Sequence, residues 1–215
     1  MLKDSIESLR EDYKKNKLDE KDLQADPFVQ FEQWFEEARQ AGLYEPNAMN
    51  LATADKRGKP SARIVLLKGF DKDGFRFFTN YESKKGQQLL ENPFAALTFF
   101  WPELERQVRI EGEISKISDA DSRDYFNKRP KGSQIGAIIS PQSKIIPSRE
   151  YLEERQRKFE LDPADTIYTK PEHWGGFELK PVLVEFWQGR SSRLHDRLEF
   201  KLTAQNSWEI SRLAP

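Results

Sequence analysis

Short apolar runs separated by turn-forming residues recur through much of this chain, and this pattern limits the folds it can adopt. Runs at 49–54 and 61–70 flank residues 55–60, which contain Gly and Pro and predict a hairpin turn. Residues 71–74 (Asp-Lys-Asp-Gly) predict a second turn, and 75–79 the strand after it. Strands joined by such short turns pair antiparallel.

Further strands and several helices follow from the same kind of pattern. Strands are predicted over 94–101, 106–117, 177–187, 193–203 and 208–213. Helices are predicted from Pro27 to Gly42, from Ser83 to Glu91, from Asp119 to Lys128 and from Arg149 to Leu161. The expected fold is therefore mainly β with peripheral helices, an antiparallel barrel decorated by helices.

The N-terminal 25 residues differ from the rest because they are highly charged and carry few apolar side chains. We interpret residues 1–25 as a mobile arm or a short docking helix. Residues 26–215 contain no internal repeat and no clear linker, so they are predicted to form a single domain.

Charge and composition exclude several classes of protein. Lys plus Arg number 35 against 36 for Asp plus Glu, which argues against a nucleic-acid or membrane-surface partner. The absence of Cys excludes disulfides, thiolate metal sites and a Cys nucleophile, and only two His are present, so no metal centre is expected. No signal peptide or membrane span is apparent. We therefore expect a soluble, cytoplasmic protein.

The usual nucleotide-binding motifs are missing. The sequence contains neither G-x-G-x-x-G nor G-x-x-x-x-G-K-[ST], and no G-x-S-x-G nucleophile motif. Any nucleotide-like cofactor must therefore be held by scattered cations and helix ends.

One candidate binding segment combines three nitrogen-rich side chains. In an extended strand Arg193, His195 and Arg197 would share a face, while Leu194 and Leu198 would point to the core. Arg binds phosphate and carboxylate through a rigid fork of donors. A solvated edge strand is the alternative, but the preceding Trp187 adds an apolar surface and favours ligand binding.

A helix start supplies a candidate phosphate site. Thr79 and Asn80 precede Ser83-Lys84-Lys85, where free backbone N–H groups, the positive helix end and two ammonium groups meet. A capped surface helix with solvated lysines is an equally good interpretation.

Two further groups of residues suit an anion. Tyr125 and Arg129 lie four residues apart on a predicted helix, with Ser133 beyond; a packed Tyr and a surface Arg are the alternative. Arg63 and Lys68 lie five apart, which puts them on opposite faces of a regular strand. Sharing one ligand would require a bulge, strong curl or a second subunit. Together these patterns favour two phosphorylated small molecules and redox chemistry by an organic cofactor.

Several segments, in order, resemble the pyridoxamine/pyridoxine 5′-phosphate oxidase family. The strongest is Val-Glu-Phe-Trp-Gln at 184–188, followed after four residues by Arg-Leu-His-Asp-Arg at 193–197. The other matching segments are 63–68, 79–85, 105–107, 125–133, 142–143, 174–177 and 212–215. The resemblance implies an FMN-binding split β-barrel, active as a homodimer with FMN at the subunit interface. It also implies oxidation of pyridoxamine 5′-phosphate and pyridoxine 5′-phosphate to pyridoxal 5′-phosphate, with O₂ reduced to hydrogen peroxide.

The resemblance also assigns roles to individual residues. The implied FMN contacts are Arg63, Ile64, Val65, Leu66, Leu67, Lys68, Phe78, Thr79, Lys84, Lys85, Gln107, Gln142, Ser143, Trp187 and Arg197. The implied substrate contacts are Arg10, Tyr13, Lys68, Tyr125, Arg129, Ser133, Arg193, Leu194 and His195. Arg193 and His195 are the implied catalytic residues, over the pyridine ring, and residues 10–13 the implied lid.

Three other functions stay open from the sequence. A flavin reductase-like split barrel with another substrate would keep the FMN contacts, but would not need Tyr125, Arg129, Ser133, Arg193 and His195 together. A non-catalytic FMN or pyridoxal-phosphate carrier would bind ligand without turnover. A nucleic-acid-binding barrel is the weakest alternative because the charge is balanced.

Overall fold

The computed structural model describes residue 9, residues 11–161 and residues 168–215. The strands are β1 (Ala48–Ala54), β2 (Pro60–Leu66), β3 (Gly69–Asp71), β4 (Gly74–Asn80), β5 (Phe94–Trp101), β6 (Arg106–Lys116), β7 (Trp174–Gln188), β8 (Asp196–Leu202) and β9 (Trp208–Arg212). The helices are α1 (Pro27–Gln40), α2 (Lys84–Glu91), α3 (Asp119–Lys128), α4 (Lys131–Ile139) and α5 (Arg149–Glu160). No helix in this part of the chain is long and apolar enough to span a membrane.

The nine strands belong to one sheet. Seven follow the order β2-β1-β5-β6-β7-β4-β3, while β8 pairs with β7 and β9. The pairs β3–β4, β4–β7, β7–β8 and β8–β9 are antiparallel. The predicted mainly antiparallel β fold with peripheral helices is confirmed.

The chain divides into two compact units. The first comprises the described residues of 1–49, 97–111 and 181–215, and the second comprises 50–96 with the described residues of 112–180.

The first unit is packed around aromatic side chains. Phe31 on α1 lies 5.1 Å from Phe99, and Trp34 lies edge-on to Phe186 at 5.2 Å, both measured between ring centres. The predicted start of α1 is confirmed, because the Asp26 carboxylate accepts a hydrogen bond from the backbone N–H of Phe28 at 2.7 Å.

Part of the N-terminal arm packs in the first unit. The side chain of Leu18 is buried, and its backbone N–H donates to the Asp196 carboxylate at 3.1 Å. The backbone N–H of Lys15 donates to the Glu105 carboxylate at 3.0 Å. A mobile lid over 1–25 stays a prediction.

The second unit has its own core, in which Phe75 and Phe77 on β4 and Phe177 and Leu179 on β7 are buried. Phe75 pairs with Leu179 and Phe77 with Phe177 in the antiparallel register. Cross-strand apolar pairs of this kind stabilise a sheet. β4 and β7 therefore form a rigid support for the polar residues at the carboxyl end of β4.

The single strand predicted over 61–70 is wrong, because β2 ends at Leu66 and β3 begins at Gly69. Leu67 and Lys68 lie between the two strands, and the backbone N–H of Lys68 donates to the carbonyl of Arg76 on β4 at 2.8 Å. Lys68 is therefore outside a regular strand, and the parity that separated it from Arg63 does not apply.

The predicted strand start at Arg193 is also wrong. Ser191–Arg193 form a 3₁₀ turn in which Ser192 and Arg193 have φ values of 57° and 60°. The strand begins only at Asp196, so the prediction that Arg193, His195 and Arg197 share a strand face fails. Leu198 is buried as predicted, but Leu194 is 69% exposed and does not pack in the core.

Helix α4 was missed by the sequence analysis. Its N-cap position is occupied by Pro130, which makes no side-chain capping bond, and it contains Gly132 and Gly136. Gly has low helix propensity, so local signals do not predict a helix there. The sequence pattern favoured Asp119 as the cap of α3, but the cap is Ser118, whose hydroxyl accepts from the backbone N–H of Asp121 at 3.0 Å.

Candidate functional site

A cavity of about 510 Å³ lies in the second unit and collects most of the predicted ligand contacts. The predicted residues that line it are Arg63, Ile64, Val65, Leu66, Lys68, Phe78, Thr79, Lys85, Tyr125, Arg129, Ser133 and Gln142. Five further residues line it: Asn80, which was named with the candidate phosphate site, and Gly136, Ala137, Ser140 and Trp174, which were not predicted as contacts. Asn80 and Trp174 stand in segments that the sequence analysis singled out, whereas the other three belong to the missed helix or its end.

Among the described residues, the cavity wall carries four cationic side chains, Arg63, Lys68, Lys85 and Arg129, and no carboxylate. Within the described residues none of these four forms an ion pair with Asp or Glu. A group of cations without counter-ions is costly to assemble and attracts an anion. The chemistry of the lining therefore fits a ligand that carries phosphate.

Arg63 reaches into the unit from β2. Its Nη1 donates to the carbonyl of Leu51 at 3.0 Å and to the Thr53 hydroxyl at 2.7 Å. Burial lowers the pKa of Arg63 from its usual value, because the charged form loses hydration. The guanidinium remains charged at neutral pH, since arginine does not deprotonate in that range.

Lys85 is placed by the start of α2, where the Ser83 hydroxyl accepts from the backbone N–H of Gly86 at 3.3 Å. The Lys85 ammonium donates to Thr79 Oγ1 and Gln142 Oε1, each at 3.0 Å. Burial, followed by the positive charge of Arg63, lowers the pKa of Lys85. An anion in the cavity would oppose both effects. The predicted Lys84 lies beside it in sequence but is exposed and does not line the cavity.

Aromatic rings form another part of the wall. Phe78 stacks on Tyr125 with ring centres 3.9 Å apart, and Trp174 lies nearly parallel to Phe78 at 5.5 Å. The guanidinium of Arg129 sits 4.7 Å from the centre of the Trp174 ring. This contact holds the arginine by a cation–π interaction without neutralising its charge.

Arg129 also has an unsatisfied donor. Its Nη1 is buried and has no hydrogen-bond partner in the described structure. The carbonyl of the same residue accepts from Gln134 Nε2 at 2.8 Å, which fixes its backbone. Burial lowers the pKa of Arg129. A buried cationic donor without an acceptor fits a missing anionic ligand.

A second cavity, of about 530 Å³, lies in the first unit. Of its lining residues Tyr13, Arg193 and His195 were predicted ligand contacts, and Glu11 and Asp12 fall within the predicted lid; Leu9, Arg190 and Ser192 were not predicted. The ring of His195 lies 4.6 Å from that of Trp187, and Tyr13 approaches Trp187 edge-on at 5.8 Å. Arg193 and His195 line this cavity together, as predicted, but the turn at 191–193 and not strand alternation brings them there.

The protonation state of His195 follows from its contacts. Its Nδ1 accepts a hydrogen bond from the backbone N–H of Arg190 at 3.1 Å, so the proton of the neutral ring resides on Nε2. Burial, followed by the charge of Arg193, lowers the pKa of His195. The imidazole is therefore neutral at neutral pH and offers Nε2–H as a donor.

Arg197 is paired within the first unit. It stands opposite Trp187 in the β7–β8 register, and its Nε donates to the buried Glu185 carboxylate at 2.8 Å. Its Nη2 reaches the same carboxylate at 3.1 Å, which raises the pKa of Arg197. The other nitrogen, Nη1, donates to the carbonyl of Ala214 at 2.9 Å.

The predicted residues thus fall into two groups, one in each unit, with some outside both cavities. Leu67, Lys84, Gln107, Ser143, Trp187, Leu194 and Arg197 line neither cavity. Leu67 is buried, whereas Ser143 is exposed in the turn that follows Gln142. Arg10 lies outside the described residues.

Comparison with known proteins identifies the family. Residues 35–160 match the family model for pyridoxamine 5′-phosphate oxidase, and residues 174–215 match the model for the pyridoxine 5′-phosphate oxidase C-terminal dimerisation region. The chain is 54% identical over 211 residues to a pyridoxine/pyridoxamine 5′-phosphate oxidase of Nostoc sp., covering 98% of this chain and 99% of that protein. A protein of the same name from Polynucleobacter asymbioticus is 54% identical over 212 residues, covering 99% of this chain and 100% of that one.

A solved structure supports the same assignment. PhzG from Burkholderia lata 383, in complex with tetrahydrophenazine-1-carboxylic acid, superposes with a TM-score of 0.85 at 29% identity. The match covers 91% of this chain and 95% of PhzG. The predicted split-barrel fold class is confirmed by this likeness. The two family models cover most of the sequence, and the chain belongs to the pyridoxamine 5′-phosphate oxidase family.

Proposed function

We propose that this protein oxidises pyridoxamine 5′-phosphate and pyridoxine 5′-phosphate to pyridoxal 5′-phosphate, with FMN as cofactor and O₂ reduced to hydrogen peroxide. The observation that carries the proposal is the cavity of the second unit, where the part of the chain that the structure describes contributes four cations and no carboxylate. Family membership and relatives matched over their whole length support the same reaction. We expect the reaction to take place in the cytoplasm, as the sequence suggested.

Residues from β2, the end of β4 and the start of α2 would hold the phosphate-bearing cofactor. Arg63 and Lys85 provide charge, while Thr79 and Gln142 provide neutral hydrogen-bonding groups beside them. Residues 64–66 line the same cavity. When bound, FMN supplies the acceptor for the two electrons removed from the substrate and passes them to O₂. The proposal also retains six FMN contacts implied by the family resemblance that line neither cavity: Leu67, Lys84, Gln107, Ser143, Trp187 and Arg197.

The substrate phosphate would lie with Arg129, Lys68, Tyr125 and Ser133. Arg129 is the central residue of this group, because its buried Nη1 lacks an acceptor. Tyr125 and Ser133 add hydroxyl donors that can bind phosphate oxygens. This group requires the 5′-phosphate, so the unphosphorylated vitamers would be poor substrates.

Arg193 and His195 would act on the pyridine ring. Arg193 orients the polar groups of the substrate, and the neutral His195 offers Nε2–H as a hydrogen-bond donor. Tyr13, packed against Trp187 and His195, would cover the ring and exclude water, with Arg10 and Leu194 completing the substrate contacts. Holding the reacting groups in this way lowers the entropic part of the barrier.

We further propose a homodimer in which each FMN lies at the subunit interface. The match of residues 174–215 to a dimerisation region supports the dimer. Ile64, which lines the cavity on β2, is 66% exposed, and an exposed apolar side chain at the rim of a binding site suits coverage by a second subunit. Both subunits would then contribute residues to each site.

The test is an absorption spectrum of the purified protein loaded with FMN, taken before and after anaerobic addition of pyridoxamine 5′-phosphate, and again in air. We expect the flavin absorption band to bleach after the anaerobic addition and to recover in air. We also expect pyridoxal 5′-phosphate to accumulate. Pyridoxamine without phosphate serves as the matched control ligand and should bleach the band far more slowly.

Two variants test whether Arg129 binds the substrate phosphate. Arg129→Gln should raise KM for the phosphorylated substrate by about tenfold or more, because a charged hydrogen bond is lost. Arg123→Gln removes an exposed charge from α3, the helix that ends just before Arg129; Arg123 pairs with Asp119, and its substitution should leave KM unchanged. A wild-type flavin that stays oxidised after addition of pyridoxamine 5′-phosphate, and also after addition of pyridoxine 5′-phosphate, would contradict the oxidase assignment. That result would favour a non-catalytic carrier or an enzyme with a different substrate.

A further inference from the structure

Two buried side chains hold the guanidinium of Arg63, and neither lines the cavity. Thr53 on β1 is 3% exposed and Gln88 on α2 is 6% exposed. Arg63 Nη1 donates to Thr53 Oγ1 at 2.7 Å, and Arg63 Nη2 lies 3.5 Å from Gln88 Oε1. The Leu51 carbonyl is the third acceptor, at 3.0 Å from Nη1.

The hydrogen bonds among these groups have one consistent direction. The Thr53 hydroxyl accepts from Arg63, so its own proton is donated to Gln88 Oε1, at 2.7 Å. Gln88 Nε2 donates to the Ser61 hydroxyl at 3.2 Å. The amide oxygen of Gln88 therefore faces Thr53 and Arg63, and every side-chain group that holds Arg63 is neutral.

Neutral acceptors orient a guanidinium without cancelling its charge. Lys85 is held in the same manner by the hydroxyl of Thr79 and the amide oxygen of Gln142. Arg197 shows the other arrangement, since the carboxylate of Glu185 binds two of its nitrogens. A carboxylate in place of the Gln88 amide would pair with Arg63 and remove one positive charge from the cavity wall.

We propose that Thr53 and Gln88 are positioning residues that keep Arg63 oriented and uncompensated for a phosphate-bearing ligand. The inference rests on the proposed FMN site, because Arg63 is one of the residues that would hold the cofactor. Gln88 is the more informative of the two, since Gln and Glu have the same shape and differ in charge.

The experiment measures the Kd for FMN by quenching of flavin fluorescence, using the full-length protein freed of bound flavin. Gln88→Glu should raise Kd about tenfold or more, because the new carboxylate competes with the phosphate for Arg63. Gln88→Met removes the acceptor without adding charge and should raise Kd by a smaller factor. Gln87→Glu adds the same charge at the exposed neighbouring position of α2 and should change Kd by less than about twofold.

The order of the two Gln88 variants separates a positioning role from a merely structural one. If Gln88 only completed a buried hydrogen-bond network, the Glu variant, which keeps an oxygen acceptor for Thr53 and Arg63, would bind FMN better than the Met variant. That reversed order, or a Gln88→Glu protein with wild-type Kd, would overturn the inference. Should Gln88→Glu fail to fold by circular dichroism, Thr53→Val provides the test: Kd is expected to rise about threefold or more, and an unchanged Kd overturns the inference.

The same titration separates this inference from the proposed function. A wild-type protein that does not quench FMN fluorescence contradicts the cofactor assignment itself. A wild-type protein that binds FMN, together with Gln88 variants that bind equally well, contradicts only the role of Gln88 and Thr53.

Discussion

The buried carboxylate of Glu185 allows a stability change to be worked out from the structure. Glu185 is 2% exposed and accepts hydrogen bonds from Arg197 at 2.8 and 3.1 Å and from Arg109 at 2.7 Å. Glu185→Gln keeps the shape of the side chain but removes the carboxylate that Arg197 binds and one of the two carboxylates that Arg109 binds, the other being that of Glu111. We therefore expect the variant to fold with reduced stability.

The size of this loss follows from burial. Removing one partner of a buried ion pair costs about 3–5 kcal/mol. The side chains of Arg109 and Arg197 are 37% and 26% exposed, so they regain part of their hydration. We expect a loss of about 2–3 kcal/mol, which for a chain of this length lowers Tm by about 4–12 °C.

Thermal unfolding followed by circular dichroism at neutral pH measures this effect. The protein is compared without flavin, because a ligand that binds only the folded state raises Tm. Glu199→Gln is the matched control: Glu199 stands directly opposite Glu185 in the β7–β8 register and influences Arg197 only through its charge. Equal Tm values for the two variants would refute the importance of the buried pair.

Three other predictions concern the first unit. Arg193→Leu should lower kcat/KM about tenfold or more while the Kd for FMN stays unchanged, and unchanged turnover would contradict its role in orienting the substrate. Gly189→Ala should raise KM, because a Cβ there would lie 2.7 Å from the ring of Tyr13 and displace it; steady-state kinetics, with FMN binding as the control, measure this. The hydrogen bond from Arg212 lowers the pKa of Glu20 from 4.5 to about 2, so its stabilisation is present above pH 4.5 and is lost as pH falls towards 2. The Tm difference between wild type and Glu20→Gln should therefore shrink over that range, and a difference independent of pH would contradict this.

The sequence predicted those parts of the fold that depend on local chemistry. The turn at 55–60 is an example: the Asp55 carboxylate accepts from the backbone N–H groups of Arg57 and Lys59, and the strands on either side follow. The starts of α1 and α2 were predicted for the same reason, since Asp26 and Ser83 cap them through their side chains. These interactions lie within four residues and leave a clear pattern.

The parts that were missed depend on contacts distant in sequence. The alternation of Arg193, His195 and Arg197 is typical of a strand, yet Ser192 and Arg193 adopt positive φ, which no Gly or Asn signalled. Trp174 was not predicted as a lining residue because its position relative to Phe78 and Tyr125 results from pairing between β4 and β7, almost 100 residues apart. Such positions depend on the register of the sheet, which local patterns do not determine.

The arginines of this chain illustrate why a motif alone does not define a binding charge. Arg197 stands in the family signature, but the structure pairs it with Glu185. The carboxylate of Glu185 balances its positive charge, so little of that charge is left to attract an anionic ligand. Arg63 stands in a less distinctive apolar run, yet its acceptors are all neutral, and its charge is available to a ligand. The difference comes from residues far away in the sequence: a buried Glu in one case, and a buried Thr and Gln in the other. We therefore expect a cation whose buried neighbours are neutral to be a better guide to an anion site than a cation identified by a sequence motif alone, because burying a charge without a counter-ion is costly unless a ligand supplies one.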